Sequence, residues 1–129
     1  MANVVTSQII IDGDRNAVVK LTGVLDTSNE SLATKVDPAD FAPVPTQFRI
    51  DKITYSISSQ LAVQLLWDAT TDLIILPLTD SFEICAKDYG GLQNNAGAGK
   101  SGKILLQTTG WASGTQTYTI ILEMVKQGV

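Results

Sequence analysis

From Thr117 to Val125 the chain keeps one rhythm: Tyr118, Ile120, Leu122 and Met124 take every second position, with Thr117, Thr119, Ile121, Glu123 and Val125 between them. Successive side chains of a strand point to opposite faces, whereas a helix returns to one face every 3.6 residues. This spacing therefore gives a strand with one apolar face and excludes a helix. The same period of two recurs from Ala17 to Leu25, from Phe48 to Ser58 and in the row Leu61, Val63, Leu65 and Trp67, and a further β-branched run extends from Val4 to Ile11. β-Branched residues crowd these runs, so the chain reads as all-β.

Turn chemistry divides the runs. Asp12-Gly13-Asp14-Arg15-Asn16 predicts a hairpin in which Asp-Gly supplies positive φ. Between Phe48 and Ser58 the apolar set changes parity, Phe48 and Ile50 on one side and Ile53, Tyr55 and Ile57 on the other, which predicts a bulge or a strand changing sheets near Asp51-Lys52. The turn Asp68-Ala69-Thr70-Thr71-Asp72 leads into Leu73-Ile74-Ile75-Leu76, a run that Pro77 is expected to end. Phe82 and Ile84 mark a short strand that includes Cys85.

Two segments lack the rhythm. Residues 26–47 read as a long acidic loop containing Pro38, Pro43 and Pro45, with one helical turn after Asp37, where Pro38 fits the first helical position. Seven of the ten glycines lie between Gly90 and Gly114, where only Ile104-Leu105-Leu106-Gln107 reads as a strand; residues 90–102 form a glycine-rich loop. The expectation is a single domain over residues 1–129: a two-sheet antiparallel sandwich of jelly-roll type, roughly eight strands, with long loops.

The chain contains no histidine, which removes the imidazole base of a serine or cysteine triad and every histidine metal ligand. Its one cysteine, Cys85, forbids an internal disulfide and reads as a small buried hydrophobe. Thirteen acids against nine bases give a formal charge of −4, the wrong sign for a phosphate-backbone binder. Charged residues make up only 17% of the chain, a low value that points to surface destined to be covered. The N-terminus has no basic region or apolar core of a signal peptide, and no apolar run reaches the length of a membrane span. These features predict a chain made in a reducing cytoplasm that engages neither nucleic acid nor membrane.

Gly99-Lys100-Ser101 spells the end of a phosphate-binding loop, but Asn94 stands where that loop needs its first glycine. The segment that follows, Gly102-Lys103-Ile104-Leu105-Leu106, breaks at Thr108-Thr109-Gly110 and leaves no room for the helix whose amides complete such a site. It reads as a polar connection. Asp12 to Asn16 lacks the spacing and glutamate of a calcium loop and reads as a turn. Asp68, Asp72, Asp80 and Glu83 are near one another in sequence, as a glycosidase pair would require, yet each falls where a turn places a solvated acid. Trp67 belongs to the core row. Trp111, among small residues in Gly110-Trp111-Ala112-Ser113-Gly114, is either a lid over the end of the sandwich or a group offered to a partner. No catalytic residue, cofactor site or metal site is predicted; a binding or structural role is what remains.

Several stretches carry a resemblance: Val18-Val19-Lys20-Leu21-Thr22-Gly23-Val24-Leu25-Asp26 followed by Asp37-Pro38; Leu61-Ala62-Val63-Gln64-Leu65-Leu66-Trp67-Asp68-Ala69; Tyr89-Gly90-Gly91-Leu92-Gln93-Asn94-Asn95-Ala96; and Ile120 to Gln127. In these patches the chain resembles the auxiliary head proteins, also called cement or decoration proteins, of tailed double-stranded DNA bacteriophages. The resemblance implies a jelly-roll-like subunit, made in the host cytoplasm, that sits outside the capsid as a dimer or trimer and clamps neighbouring major capsid proteins. Candidate contact residues under this reading are Val4 and Val5 in an N-terminal arm over residues 1–7, Asp37 and Phe41 in the acidic loop, Tyr89 and Leu92 in the glycine-rich loop, and Trp111. The alternative is a glycan-binding module of a tail or head fibre, with Trp111, Tyr89 or Tyr118 as stacking platforms.

Overall fold

Every strand pairing in the structure is antiparallel. The computed structural model describes residues 3–128. Nine strands form among them: β1 (Val4–Asp12), β2 (Asn16–Leu25), β3 (Ala33–Val36), β4 (Gln47–Ile57), β5 (Ala62–Trp67), β6 (Leu73–Leu78), β7 (Ser81–Cys85), β8 (Ile104–Thr109) and β9 (Gln116–Gln127). Short 3₁₀ turns occupy Pro38–Asp40 and Ala86–Tyr89.

The strands divide into a sheet ordered β1-β2-β9-β4-β7 and a smaller one ordered β3-β8-β5-β6. Within them β5 pairs with β6, β4 with β7, β3 with β8 and β2 with β9. These pairs nest like one long hairpin rolled around a core, which is the jelly-roll topology. β1 is added outside it, at the free side of β2.

Alternation carries the core. Ala17, Val19, Leu21 and Leu25 of β2 and Tyr118, Ile120, Leu122 and Met124 of β9 face Leu61, Val63, Leu65, Trp67, Ile104 and Leu106 from the other sheet, all buried. The parity change in β4 is a bulge: its register against β9 shifts between Ile50 and Lys52, so Phe48, Ile50, Ile53 and Ile57 all reach the same core. Gly23 lies opposite Tyr118 in the β2–β9 register, and the phenol ring covers the space a Cβ at position 23 would fill.

Several expectations need correction. Gly13 closes the first hairpin with its N–H on Asn16 O at 2.9 Å but without positive φ, because a three-residue loop replaces the tight two-residue turn. Residues 26–47 are not wholly loop: Ala33–Val36 pairs with β8, and Asp37 caps the turn that Pro38 begins. Pro77 does not end its strand; β6 continues to Leu78. As an edge strand paired only with β5, β6 tolerates a residue lacking an N–H, since half its backbone groups have no partner strand. Cys85 is half-buried, not part of the core: it stands opposite Lys52 in the β4–β7 register.

Candidate interaction surface

The larger sheet is wider than its cover, and the surplus is apolar. Opposed residues of an antiparallel pair share a face, so the pairs Val5/Gly23, Ser7/Leu21 and Ile9/Val19 set Val5, Ser7 and Ile9 on the core-facing side. The residues of β2 there are buried, but all nine residues of β1 are exposed. Val4 is 58% exposed, and Val5, Ile9, Ile10 and Ile11 between 40% and 47%. Beneath this overhang lies an open hollow lined by Ser7 and Ile9 above and by Lys35, Val36, Asp37 and Asp40 below. β1 is held at its start by Asn3, whose Oδ1 accepts the N–H groups of Asp26 and Thr27 at 2.8 and 3.0 Å.

The opposite margin is formed by β6 and β7, joined through the corner Thr79-Asp80, where Asp80 takes φ of 58°. Leu73, Ile74 and Phe82 are exposed there, Phe82 by 66%. Like Ile9, Phe82 has core-facing parity, since it lies opposite Tyr55 and beside the Ile53/Ile84 pair.

The predicted contact residues are divided by the structure. Val4 and Val5 are exposed, but residues 4–7 belong to β1, paired within the chain, rather than to a free arm; Met1 and Ala2 lie outside the described residues. Tyr89 ends its 3₁₀ turn 84% exposed, next to Gly90 in the left-handed conformation. Asp37 is half-buried and spends Oδ1 on the Ala39 N–H at 3.0 Å. Leu92 packs on the core and exchanges backbone hydrogen bonds with Ile50 at 2.7 and 3.0 Å.

Phe41 is a buried anchor, not a contact group. Its ring packs edge-on against Phe48 at 5.0 Å between centroids, and Lys126 Nζ lies 5.6 Å from its centroid. Trp111 is the lid. It packs against the core, and its Nε1–H is shared between Leu25 O at 3.2 Å and Gly114 O at 3.0 Å.

Polar chemistry in the fold is mostly consumed by the fold. The Tyr118 hydroxyl donates to Glu30 Oε1 at 2.5 Å, and the same carboxylate pairs with Lys35. Burial first, and then the hydrogen bond to Glu30 and the charge of that carboxylate, push the Tyr118 phenol far above its ordinary pKa. Tyr118 is therefore no stacking platform. Lys52 reaches Glu83 at 3.3 Å and Glu123 at 3.8 Å on the outer face, and its hydrogen bond to Glu83 raises its pKa. Among the acids weighed as a hydrolytic set, Asp68 accepts from Ser101 Oγ at 2.5 Å, Asp72 accepts the Ala69 N–H at 3.1 Å, and Glu83 is the partner of Lys52. Gly99-Lys100-Ser101 leads into strand β8, and Lys100 Nζ sits on the carbonyl of Asn94 at 3.4 Å. Sequence reasoning missed the burial of Lys126 and the overhang of β1, neither of which alters the alternation that identifies a strand.

No protein-family model matches this chain, and no curated protein matches its sequence.

Proposed function

We propose that this chain is a virion structural protein, a capsid cement or decoration protein of a tailed bacteriophage, which self-associates and binds the outer surface of the major capsid lattice to strengthen the head. The observation that carries the reading is the pair of apolar margins: β1 on one side, and Leu73, Ile74 and Phe82 on the other, hold most of the large apolar residues that stand exposed among the described residues. Apolar residues along two opposite sides of a rigid subunit fit a protein that bridges neighbours rather than one that encloses a substrate. The patches of resemblance to auxiliary head proteins point the same way. Many modest contacts repeated around a shell hold firmly, because each engaged contact raises the effective concentration of the next.

The glycan-binding alternative loses two of its platforms, since Trp111 is a lid and Tyr118 is buried. Only Tyr89 remains exposed for it.

The test is sedimentation of the purified chain with phage heads and, separately, with tails. Binding to heads alone is expected, and stripping it is expected to make heads burst more readily. Binding to tails or to glycans without binding to heads overturns the reading.

A further inference from the structure

Of the four edge strands in the described fold, β1 alone has no device against further pairing. β3 has four residues, β6 carries Pro77, and β7 has five residues including Glu83. β1 has nine residues, and no charge occurs from Val4 to Ile11. Its bulge at Ile10 lies beyond the stretch Val4 to Ile9, which keeps regular register with β2. A long, neutral, apolar edge of this kind is a template for another strand.

The sequence of that edge indicates which strand. Val4-Val5-Thr6-Ser7-Gln8-Ile9-Ile10 has the same chemical order in both directions about Ser7: β-branched apolar, β-branched apolar, polar, then the serine. An isologous contact requires that residue i meet j while j meets i, so such an order fits an antiparallel copy of itself. We infer that β1 pairs with β1 of a second copy about a two-fold axis through Ser7, fusing the two larger sheets into one continuous sheet. Opposed residues share a face, so Val5 of one copy meets Ile9 of the other on the overhanging apolar side, while Thr6 meets Gln8 on the outer side. No like charges are opposed, because no charged side chain occurs from Val4 to Ile11. This deepens the self-association in the reading above and rests on that part alone, not on head binding.

The axis makes a test specific to register. In full-length chain carrying Cys85→Ser, Ser7→Cys places two thiols directly opposite each other, with Cα atoms about 5 Å apart, within disulfide range. Mild oxidation is expected to yield a covalent dimer. Val5→Cys or Ile9→Cys alone sets the thiols four residues out of step, about 13 Å apart, and is expected to remain uncrosslinked. In sedimentation velocity at micromolar concentration the unmodified chain is expected to run as a dimer. Ser7→Lys is expected to run as a monomer with its melting temperature retained, because Ser7 is exposed in the single chain. An unmodified chain that is monomeric, or equal crosslinking at all three positions, overturns the pairing. So does hydrogen-exchange protection of β1 that appears only when heads are added, which would give the edge to the capsid protein. A monomer that still sediments with heads refutes the two-fold pairing and leaves head binding standing; a dimer that ignores heads does the converse.

Discussion

Lys126 Nζ lies 2.6 Å from Asp12 Oδ1, and the lysine side chain is fully shut off from solvent. Asp12 ends β1, Lys126 stands near the end of β9, and Asp12 also accepts the Ala42 N–H at 3.1 Å. One ion pair thus joins the first hairpin, the last strand and the loop that carries Phe41. The two halves are not equivalent, because Asp12 is partly exposed and Lys126 is not. Asp12→Ala strands a buried ammonium and is expected to lower the melting temperature by on the order of 10 °C. Lys126→Met substitutes an apolar side chain of similar length and leaves a carboxylate that water can reach, so it is expected to cost much less. Thermal melts of the two variants check the ordering; equal losses refute it.

The same pair sets the acid limb of stability. The hydrogen bond from Lys126, aided by the Ala42 N–H, holds the Asp12 carboxyl below its ordinary pKa. A depressed folded value contributes stability that is present above the unfolded pKa, about 3.9, and fades as pH falls through the folded one. Denaturant midpoints measured from pH 6 downward are therefore expected to fall less steeply for Asp12→Asn than for the unmodified chain.

Tyr118 sets the alkaline limb with the opposite sign. Its folded pKa is raised, so its contribution is complete below the unfolded value of about 10 and declines above it, as the unfolded chain ionises and the native chain does not. Of the three tyrosines, one is expected to show no tyrosinate absorbance until the protein unfolds. Tyr118→Phe removes that delayed signal and the hydrogen bond to Glu30, at a cost of about 1–2 kcal/mol near neutral pH.

Gly23→Ala drives a methyl group into the Tyr118 ring, which is walled in by the core. Overpacking of this kind is expected to cost about 2–3 kcal/mol, and chemical denaturation measures it. Pairing Gly23→Ala with Tyr118→Leu, which vacates part of the ring's volume, is expected to recover some of the loss; strict additivity would show that the two positions do not touch.

Phe82→Ser separates surface from stability. The side chain is 66% exposed, so the free energy of unfolding is expected to change by no more than about 0.5 kcal/mol. Under the proposed function, binding to heads is expected to weaken several-fold. Undiminished sedimentation with heads would remove the β6–β7 margin from the contact surface.

The architecture was largely legible because alternation reports strands directly. The irregularity near Asp51 was legible too, since Phe48 and Ile50 fall out of phase with Ile53 and Ile57, but that it is a bulge and not a change of sheet shows only in the register with β9. What alternation does not report is the width of the opposing sheet. Val5 and Ile9 share the parity of core residues, yet both are exposed, and an open hollow rather than close packing lies between Ile9 and the Lys35 and Val36 of β3. Lys126 reads as a solvated charge at the end of a strand, and its burial depends on a carboxylate 114 residues away. Trp111 was readable in two ways until the carbonyls of Leu25 and Gly114 fixed its indole N–H.

β9 occupies the middle of the larger sheet, between β2 and β4, although it comes last of all the strands. During synthesis, β2 and β4 must therefore wait with their central neighbour missing until β9 leaves the ribosome. Contacts of such high sequence separation make the closing step slow. Until β9 docks, β2 and β4 each keep one unpaired edge, so a chain cut short before β9 is expected to associate through those edges instead of closing its sandwich.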